Sequence, residues 1–343
     1  MTTLAEHLDR WASGDGARPP IAATVAALAA AAAELGALVR LGPLAGEMAE
    51  VVAESRDGTG QKALDVRAEE LFETHLRSAP VAWLASEELD HVLELVPGAP
   101  LAVALDPLDG SANIEQASMM GALFSILPAA GSGEASFLVP GDRQLAAGVV
   151  VYGSFTALVL TLGEGVDLFA LDPRTGRFVL HRRGVRVPPA RREYAINASN
   201  ARHWPLPIKA YIEELVAGAT GPRGADYNMR WVACVVADLY RILVKGGIFL
   251  YPGDARKGYE HGRLRLLYEA FPIALIMDRA GGLATDGYHP ILELVPKDLH
   301  ERTPLIFGSR DKVERVMQLH RSSVPPAGQR PLFGQRGLFK AGS

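Results

Sequence analysis

Asp106-Pro107-Leu108-Asp109-Gly110-Ser111-Ala112-Asn113 follows the apolar run Leu101-Ala102-Val103-Ala104-Leu105, and this junction decides how the chain is read. The run reads as a strand. Pro107 lacks the N–H that a sheet ladder needs, so the strand is expected to break there and turn, bringing Asp109 back towards Asp106. Two carboxylates three residues apart on a tight turn suit a hard cation such as magnesium, which takes oxygen ligands. The N–H groups of Gly110 and Ser111, if they open a helix, make a nest for a phosphate. A plain turn, in which both aspartates bond backbone, fits the same residues.

Other acids stand at comparable places. Val81-Ala-Trp-Leu-Ala85 reads as a second strand and ends in Ser86-Glu87-Glu88. Adjacent glutamates are costly to bring close without a neutralising cation, although a solvated loop accommodates them. Asp65 precedes a helical run from Val66 to Arg77, where it is either the N-cap or a functional group. With the late Glu269, these carboxylates suffice for about two to three divalent ions, the arrangement that suits phosphoryl transfer. Spacing alone does not show that they converge.

At 343 residues the chain is longer than one core usually supports, and two domains are expected. The basic, proline-containing stretch Arg182–Arg192 is the best boundary. It gives an N-terminal domain over 1–187, a C-terminal domain over 188–321 and a Pro/Gly/Arg-rich tail over 322–343, which either docks through its two Leu-Phe pieces or stays free. Strands are expected at 147–152, 155–161, 166–171 and 178–180, with the 8–12-residue spacing of antiparallel neighbours. Beyond the boundary, strands at 194–197, 249–251 and 304–307 alternate with helices at 205–217, 231–245, 264–280 and 310–321, a second α/β layer. Residues 52–61 read as a mobile loop. A long helix is expected from Pro19-Pro20 to near Arg40; its stretch Ile21–Val39 is alanine-dominated, contains Glu34, and reads as a buried helix rather than a membrane span.

A net charge of −4 gives no footprint for nucleic acid. Cys234, the only cysteine, excludes an intrachain disulfide and multi-cysteine zinc sites, and suits a reducing cytoplasm. It is expected inside an apolar helix as a small core residue. The N-terminus lacks the basic and apolar regions of a secretory signal.

Residues 106–113 resemble the DPLDGSSN signature of class I fructose-1,6-bisphosphatases, within the lithium-sensitive, inositol-monophosphatase-like superfamily. Gln61-Lys62-Ala63-Leu64-Asp65-Val66 and Ser86-Glu87-Glu88 are similar to the two preceding motifs, in the same order. Gly246-Gly247-Ile248-Phe249-Leu250-Tyr251-Pro252, Arg263-Leu264-Arg265-Leu266-Leu267-Tyr268-Glu269 and Ala280-Gly281-Gly282-Leu283-Ala284-Thr285 resemble the fructose branch in particular. The likeness runs from about residue 57 to 310.

The resemblance implies an α/β sugar phosphatase fold, a layered α/β/α/β/α sandwich of two mixed-sheet domains. It implies that Glu87, Glu88, Asp106, the Leu108 carbonyl, Asp109 and Glu269 hold magnesium, with manganese or zinc as alternatives. Asp65 with Glu88 would position and deprotonate the attacking water, and Asp109, Gly110, Ser111 and Ala112 would meet the 1-phosphate. The sugar and its retained 6-phosphate would meet Asn197, Asn200, Arg230, Trp231, Tyr251 and Arg263. The arginine matching Arg230 reaches a neighbouring subunit in the family, which implies a homo-oligomer, usually a tetramer.

Several positions depart from the family pattern. Thr59 stands where the mobile loop usually carries an aspartate, with Asp57 as a substitute. Asn200, Trp231 and Arg263 occupy places that commonly hold Tyr, Tyr and Lys, changes that open the pocket towards sedoheptulose 1,7-bisphosphate. No Gly-Glu-Met-Thr stretch lies near Pro19–Thr24, and Pro100-Leu101 replaces a Lys-Tyr pair of the AMP site, so weak or absent AMP inhibition is expected. The leading expectation is hydrolysis of fructose 1,6-bisphosphate to fructose 6-phosphate, in gluconeogenesis or a carbon-fixation cycle. An inositol- or nucleotide-type monophosphatase and a non-catalytic sugar-phosphate sensor are the alternatives.

Overall fold

The computed structural model describes residues 1–46, 50–54 and 60–322, with the side chains of 52–54, 60 and 61 excepted. Asp57, Thr59 and the tail beyond Ser322 therefore lie outside the described residues. Two sheets and three groups of helices stack in five layers.

The first layer is α1 (Leu4–Ala12), α2 (Arg18–Leu41) and α3 (Ala63–Leu76). By length and composition α2 is apolar enough to cross a membrane, so its alanines do not weaken it as the sequence suggested. Half of its most apolar stretch is buried inside the fold, however, and Val25, Leu28, Ala31, Ala32 and Leu35 are wholly enclosed. Short side chains along α2 let it lie close to α3 and to the sheet below. Residues 52–61 are not all loop: β1 (Val51–Glu54) pairs antiparallel with β2 (Gly60–Lys62).

The second layer is a sheet of β3 (Val81–Ser86), β4 (Leu93–Glu94), β5 (Leu101–Asp109), β6 (Met120–Pro128), β7 (Ala146–Tyr152), β8 (Thr156–Thr161), β9 (Asp167–Asp172) and β10 (Arg177–Arg182), in the order β10-β9-β8-β7-β6-β5-β3-β4. Only β3 and β5 are parallel; the other pairs are antiparallel. The alternation in β5 sorts its faces, as strand geometry requires. Val103 and Leu105 join the core under α1–α3, while Ala102 and Ala104 face the next layer. Pro107 does not end the strand. β5 continues to Asp109 across a register shift between Asp106 and Asp109, an irregularity that accommodates the missing N–H.

The middle layer is α5 (Val235–Lys245) and α6 (Phe271–Arg279), packed between Leu123 and Val149 on one side and Phe249 and Phe307 on the other. The fourth layer is the second sheet. Chain order beyond the basic stretch is β11 (Glu193–Ala195), β12 (Asn228–Met229), β13 (Ile248–Tyr251), β14 (Leu264–Arg265), β15 (Leu283–Thr285), β16 (Arg302–Thr303) and β17 (Leu305–Gly308). β14 and β16 pair with each other; the rest form the order β12-β11-β13-β17-β15. α4 (Leu206–Val216) and α7 (Arg310–Arg321) complete the stack, with Ile208, Tyr211, Val313 and Val316 against Ile196, Ile248 and Ile306. The result is α/β/α/β/α, as the resemblance implied.

One close approach sets up the site. Gly121 on β6 pairs with Asp109, and a Cβ there would lie 2.2 Å from the Val150 carbonyl and 2.5 Å from Val236 Cγ2. Only glycine lets the first turn of α5 come down onto the sheet beside Asp109.

Candidate active site

The parallel pairing of β3 with β5 brings the ends of both strands to one edge, so Glu87 and Glu88 emerge beside Asp106; the Glu87 N–H donates to the Leu105 carbonyl at 3.0 Å. Asp106 is 3% exposed and accepts the Leu108 N–H at 3.1 Å, while the Leu108 side chain is buried. Glu269 arrives from the other half of the chain, in a π-helical turn, Leu266–Ala270, that leads into α6. That turn widens the backbone and aims a buried carboxylate across the layer boundary; such turns recur at functional sites. Carboxylate oxygens of Asp106, Asp109 and Glu269 lie within 4.8 Å of one another, a set that could hold a metal ion.

The electrostatics show the strain of this packing. Burial raises Asp106 well above the usual aspartate range, and the charges of Glu87, Asp109, Glu269 and Glu88 push it further. Glu269 is raised by burial and then by Glu87 and Asp109, against the Arg265 N–H, which donates to its Oε2 at 2.6 Å. Arg265, almost fully buried, also sets its Nε 3.5 Å from Glu87 Oε1. Asp109 is pushed up to about 6 by burial, while N–H groups of Val235 and Val236 at the start of α5 and the Cys234 thiol hold it down. Asp109 thus stoppers a helix N-terminus, whose dipole favours its charge.

Cys234 is not inside the helix as expected. It is the N-cap of α5, and its Sγ lies 3.6 Å from Asp109 Oδ2. Burial raises its thiol far above the usual range, so it stays a donor. Ala233, just before it, has φ +58°, a left-handed conformation uncommon without glycine.

Asp65 is not the N-cap either. It is the third residue of α3, and its Oδ2 accepts the Lys62 N–H at 2.9 Å, while Lys62 Nζ donates to the Ser111 carbonyl at 3.0 Å. These bonds bring Asp65, 3% exposed, to the turn after β5. Burial raises its carboxyl above the aspartate range, against the Lys62 N–H, the Ser111 hydroxyl and the Lys62 charge. Gly110 takes φ +82° and starts a short 3-10 helix, Ser111–Gln116, with Ala112 exposed on it.

Asn197, Asn200, Tyr251 and Arg263 line one small pocket, with Ile196, Trp204 and Asp254. Trp231 stacks on Phe249 at 5.7 Å and meets Tyr251 edge-on at 5.9 Å, so it forms the wall behind the pocket. Burial raises the Tyr251 phenol, with Arg263 opposing that and Glu269 adding to it. Arg230 does not enter this pocket. Its Nε lies 3.1 Å from Glu193 Oε1, and its side chain is 58% exposed. Arg191 and Arg241 bind the same buried carboxylate; despite its burial, the three arginines hold Glu193 below the usual glutamate range.

Several groups escaped the sequence reading. Glu69 on α3 is 8% exposed, accepts the Ser86 hydroxyl, and is pushed up to about 7 by burial and by Glu88 and Glu73. Arg265, unlike the exposed Arg263 two residues before it, is a buried cation in the motif read only for its first arginine and its glutamate. Tyr259 and Arg256 flank Arg263. For Glu69 and Tyr259 no local pattern would have served as a signal, because both sit in sequence that reads as solvated.

Two family models cover nearly all of this. The one described as "Fructose-1-6-bisphosphatase, N-terminal domain" matches residues 15–183, and the one described as "Fructose-1-6-bisphosphatase, C-terminal domain" matches residues 187–321. The chain belongs to the fructose-1,6-bisphosphatase family. It is 50% identical over 342 residues to the fructose-1,6-bisphosphatase class 1 of Methylorubrum populi, covering 99% of this chain and 98% of that protein. The class 1 enzyme of Rhodopseudomonas palustris is also 50% identical, over 339 residues and 98% of each chain. Among solved structures, the holo form of Leishmania major fructose-1,6-bisphosphatase superposes with a TM-score of 0.86 at 33% identity, covering 94% of this chain and 99% of that one. Family and fold together make the chain a phosphatase with the sugar phosphatase architecture.

Proposed function

We propose that this fructose-1,6-bisphosphatase family member removes the 1-phosphate of fructose 1,6-bisphosphate with a metal-activated water. The observation that carries this is the convergence of Asp106, Asp109 and Glu269, two from one sheet and one from the turn before α6, beside a separate polar pocket. All-oxygen, mutually repelling, buried carboxylates are the donor set of a hard divalent cation. Magnesium fits best, about two to three ions per subunit, held by Glu87, Glu88, Asp106, the Leu108 carbonyl, Asp109 and Glu269. When bound, such ions lower the pKa of water and stabilise charge on the phosphoryl oxygens.

The chain's own residues do the rest. Asp65 and Glu88 orient the water and take its proton as its oxygen attacks phosphorus; the bond to the sugar oxygen breaks, and that oxygen takes up a proton from solvent. Asp65, raised by burial, is poised for that exchange. N–H groups of Gly110 and Ser111 hold the reacting phosphate on the turn that the left-handed Gly110 creates. Asn197, Asn200, Tyr251 and Arg263 hold the retained phosphate, with Trp231 behind them. Arg230, exposed beside Glu193, is available to the same pocket of a neighbouring subunit in a homotetramer. The two domains meet near residues 187 and 188, and the lone cysteine suits the cytoplasm. Departures at Asn200, Trp231 and Arg263 support a second substrate, sedoheptulose 1,7-bisphosphate.

The test is phosphate release with magnesium from fructose 1,6-bisphosphate, sedoheptulose 1,7-bisphosphate and inositol 1-phosphate, with Glu88→Gln as control. At least about a hundredfold preference for a bisphosphate is expected from a site that binds a second anion. Loss of about a hundredfold or more in Glu88→Gln is expected for a proton-transfer group. Turnover of the monophosphate alone would overturn the reading.

A further inference from the structure

Between Pro252 and Leu264 the chain makes a loop that closes on itself: the Asp254 N–H donates to the Tyr259 carbonyl at 2.9 Å, and the Gly262 N–H donates to the same carbonyl at 3.1 Å. Gly262 has φ +80°, and a Cβ there would sit 2.3 Å from the Thr303 carbonyl, so the loop is pinned where it hands over to Arg263. Inside it, two guanidinium groups lie over one ring. Arg263 Cζ is 4.4 Å from the Tyr259 centroid and Arg256 Cζ is 4.7 Å from it. Arg263 Nη2 also donates to Tyr259 Oη at 3.3 Å.

The two arginines differ in what else they touch. Arg256 is bound by Asp254 through Nε at 3.0 Å and through Nη2, so its charge is already matched. Among the described residues no carboxylate pairs with Arg263, which lines the pocket with Asn197 and Tyr251. Like charges would not gather on one ring without compensation; Asp254 supplies it for Arg256 and leaves Arg263 wanting an anion. An arginine on an exposed loop otherwise spreads over many rotamers and loses that freedom on binding. Stacking on an aromatic face fixes the guanidinium plane beforehand.

We infer that Tyr259 is a positioning residue for the retained phosphate: braced by Arg256 and Asp254, it holds Arg263 in the orientation that receives that anion. This rests on the proposed bisphosphatase reading, and it places part of the preference for bisphosphates in a loop residue that is not itself among those lining the pocket.

The test compares the full-length protein with Tyr259→Leu and Tyr259→Phe, by calorimetric titration with fructose 6-phosphate and by initial rates on fructose 1,6-bisphosphate and fructose 1-phosphate. Tyr259→Leu should weaken fructose 6-phosphate binding and raise KM for the bisphosphate by about fivefold to tenfold, with kcat within about twofold. Its kcat/KM preference for bisphosphate over monophosphate should fall by the same factor. Tyr259→Phe, which keeps the ring face, should stay within about threefold of the parent. Should Tyr259→Leu not fold, Tyr259→Met fills the space without a π face and takes its place. Unchanged fructose 6-phosphate affinity in the variant, or an equal loss on both substrates, overturns the inference while leaving the bisphosphatase reading intact. A parent protein that binds fructose 6-phosphate yet hydrolyses no bisphosphate refutes that reading alone, and the binding comparison still decides the role of Tyr259. A parent that does not bind it overturns the inference.

Discussion

Replacing Glu69 by glutamine should make the protein more stable at alkaline pH and leave it little changed in acid. Glu69 lies in the middle of α3 at 8% exposure, with one oxygen taken by the Ser86 hydroxyl and Oε1 buried without a hydrogen bond. Burial first, then the charges of Glu88 and Glu73, move its carboxyl from 4.5 to about 7. At ~1.4 kcal/mol per pH unit, the ionised folded form then carries a penalty of about 3 kcal/mol. The sign follows from linkage: between those two values the folded state binds more protons than the unfolded one. This contribution to stability is full below pH 4.5 and lost as pH rises through about 7. Glutamine never ionises, and its amide oxygen can still accept the Ser86 hydroxyl. Urea unfolding of both proteins in EDTA, at pH 5 and pH 8, isolates the effect, because Asp109 contributes to both alike. The variant should gain about 2.5 kcal/mol relative to the parent between the two pH values, because at pH 5 the unfolded carboxyl is already largely ionised. A difference that is the same at both, within ~0.5 kcal/mol, would refute the argument.

Arg241 holds both Glu193 and Asp238, which are 3% and 0% exposed, so Arg241→Met should destabilise by about 3–5 kcal/mol in urea; a loss under about 1 kcal/mol would show that the other arginines suffice. Adding magnesium to EDTA-treated protein should raise the melting temperature, by about 2.7 kcal/mol of stability at a hundred times Kd, and Glu269→Gln should reduce that rise; an equal rise in both would remove Glu269 from the ligand set. AMP should inhibit weakly or not at all, given Pro100-Leu101 and the lack of a Gly-Glu-Met-Thr stretch near Pro19–Thr24; half-maximal inhibition in the low micromolar range would contradict this.

What could be read beforehand divides along physical lines. Strands bounded by turn residues, such as β7–β10 between Gly141, Gly153-Ser154, Gly163-Glu164-Gly165 and Gly176, fall where that punctuation places them, even though β7 and β8 are buried throughout. β6 was missed: Met-Gly-Ala-Leu-Phe-Ser-Ile-Leu is apolar throughout, as a strand buried on both faces is, and has no period to detect. Pro107 misled in the opposite direction, since a register shift lets the strand run past it. The cluster of Asp106, Asp109 and Glu269 was legible through its likeness to a family, not through spacing, for nothing local links residue 269 to residue 106. Cys234 was assigned to the right helix but the wrong position on it, and of the two readings left open for Asp65 the N-cap one fails; in both cases a few residues change what the side chain touches. Glu69 and Tyr259 were illegible because a glutamate on a helix and a tyrosine in a Gly-rich loop are ordinarily wet. The packed layers enclose Glu69, whereas Tyr259 stays half-buried and is set apart only by the Arg256 and Arg263 guanidinium groups over its ring.

Asp109 closes the first turn of α5 from the opposite sheet, and Glu269 answers it from the turn before α6. On the proposed metal reading, neither half of the polypeptide holds the whole ligand set. Separately made halves are therefore expected to release no phosphate until they rejoin, which mixing the two fragments would check. On that reading, damage on the side that carries Glu269 is as complete a lesion as loss of Asp65 or Glu88.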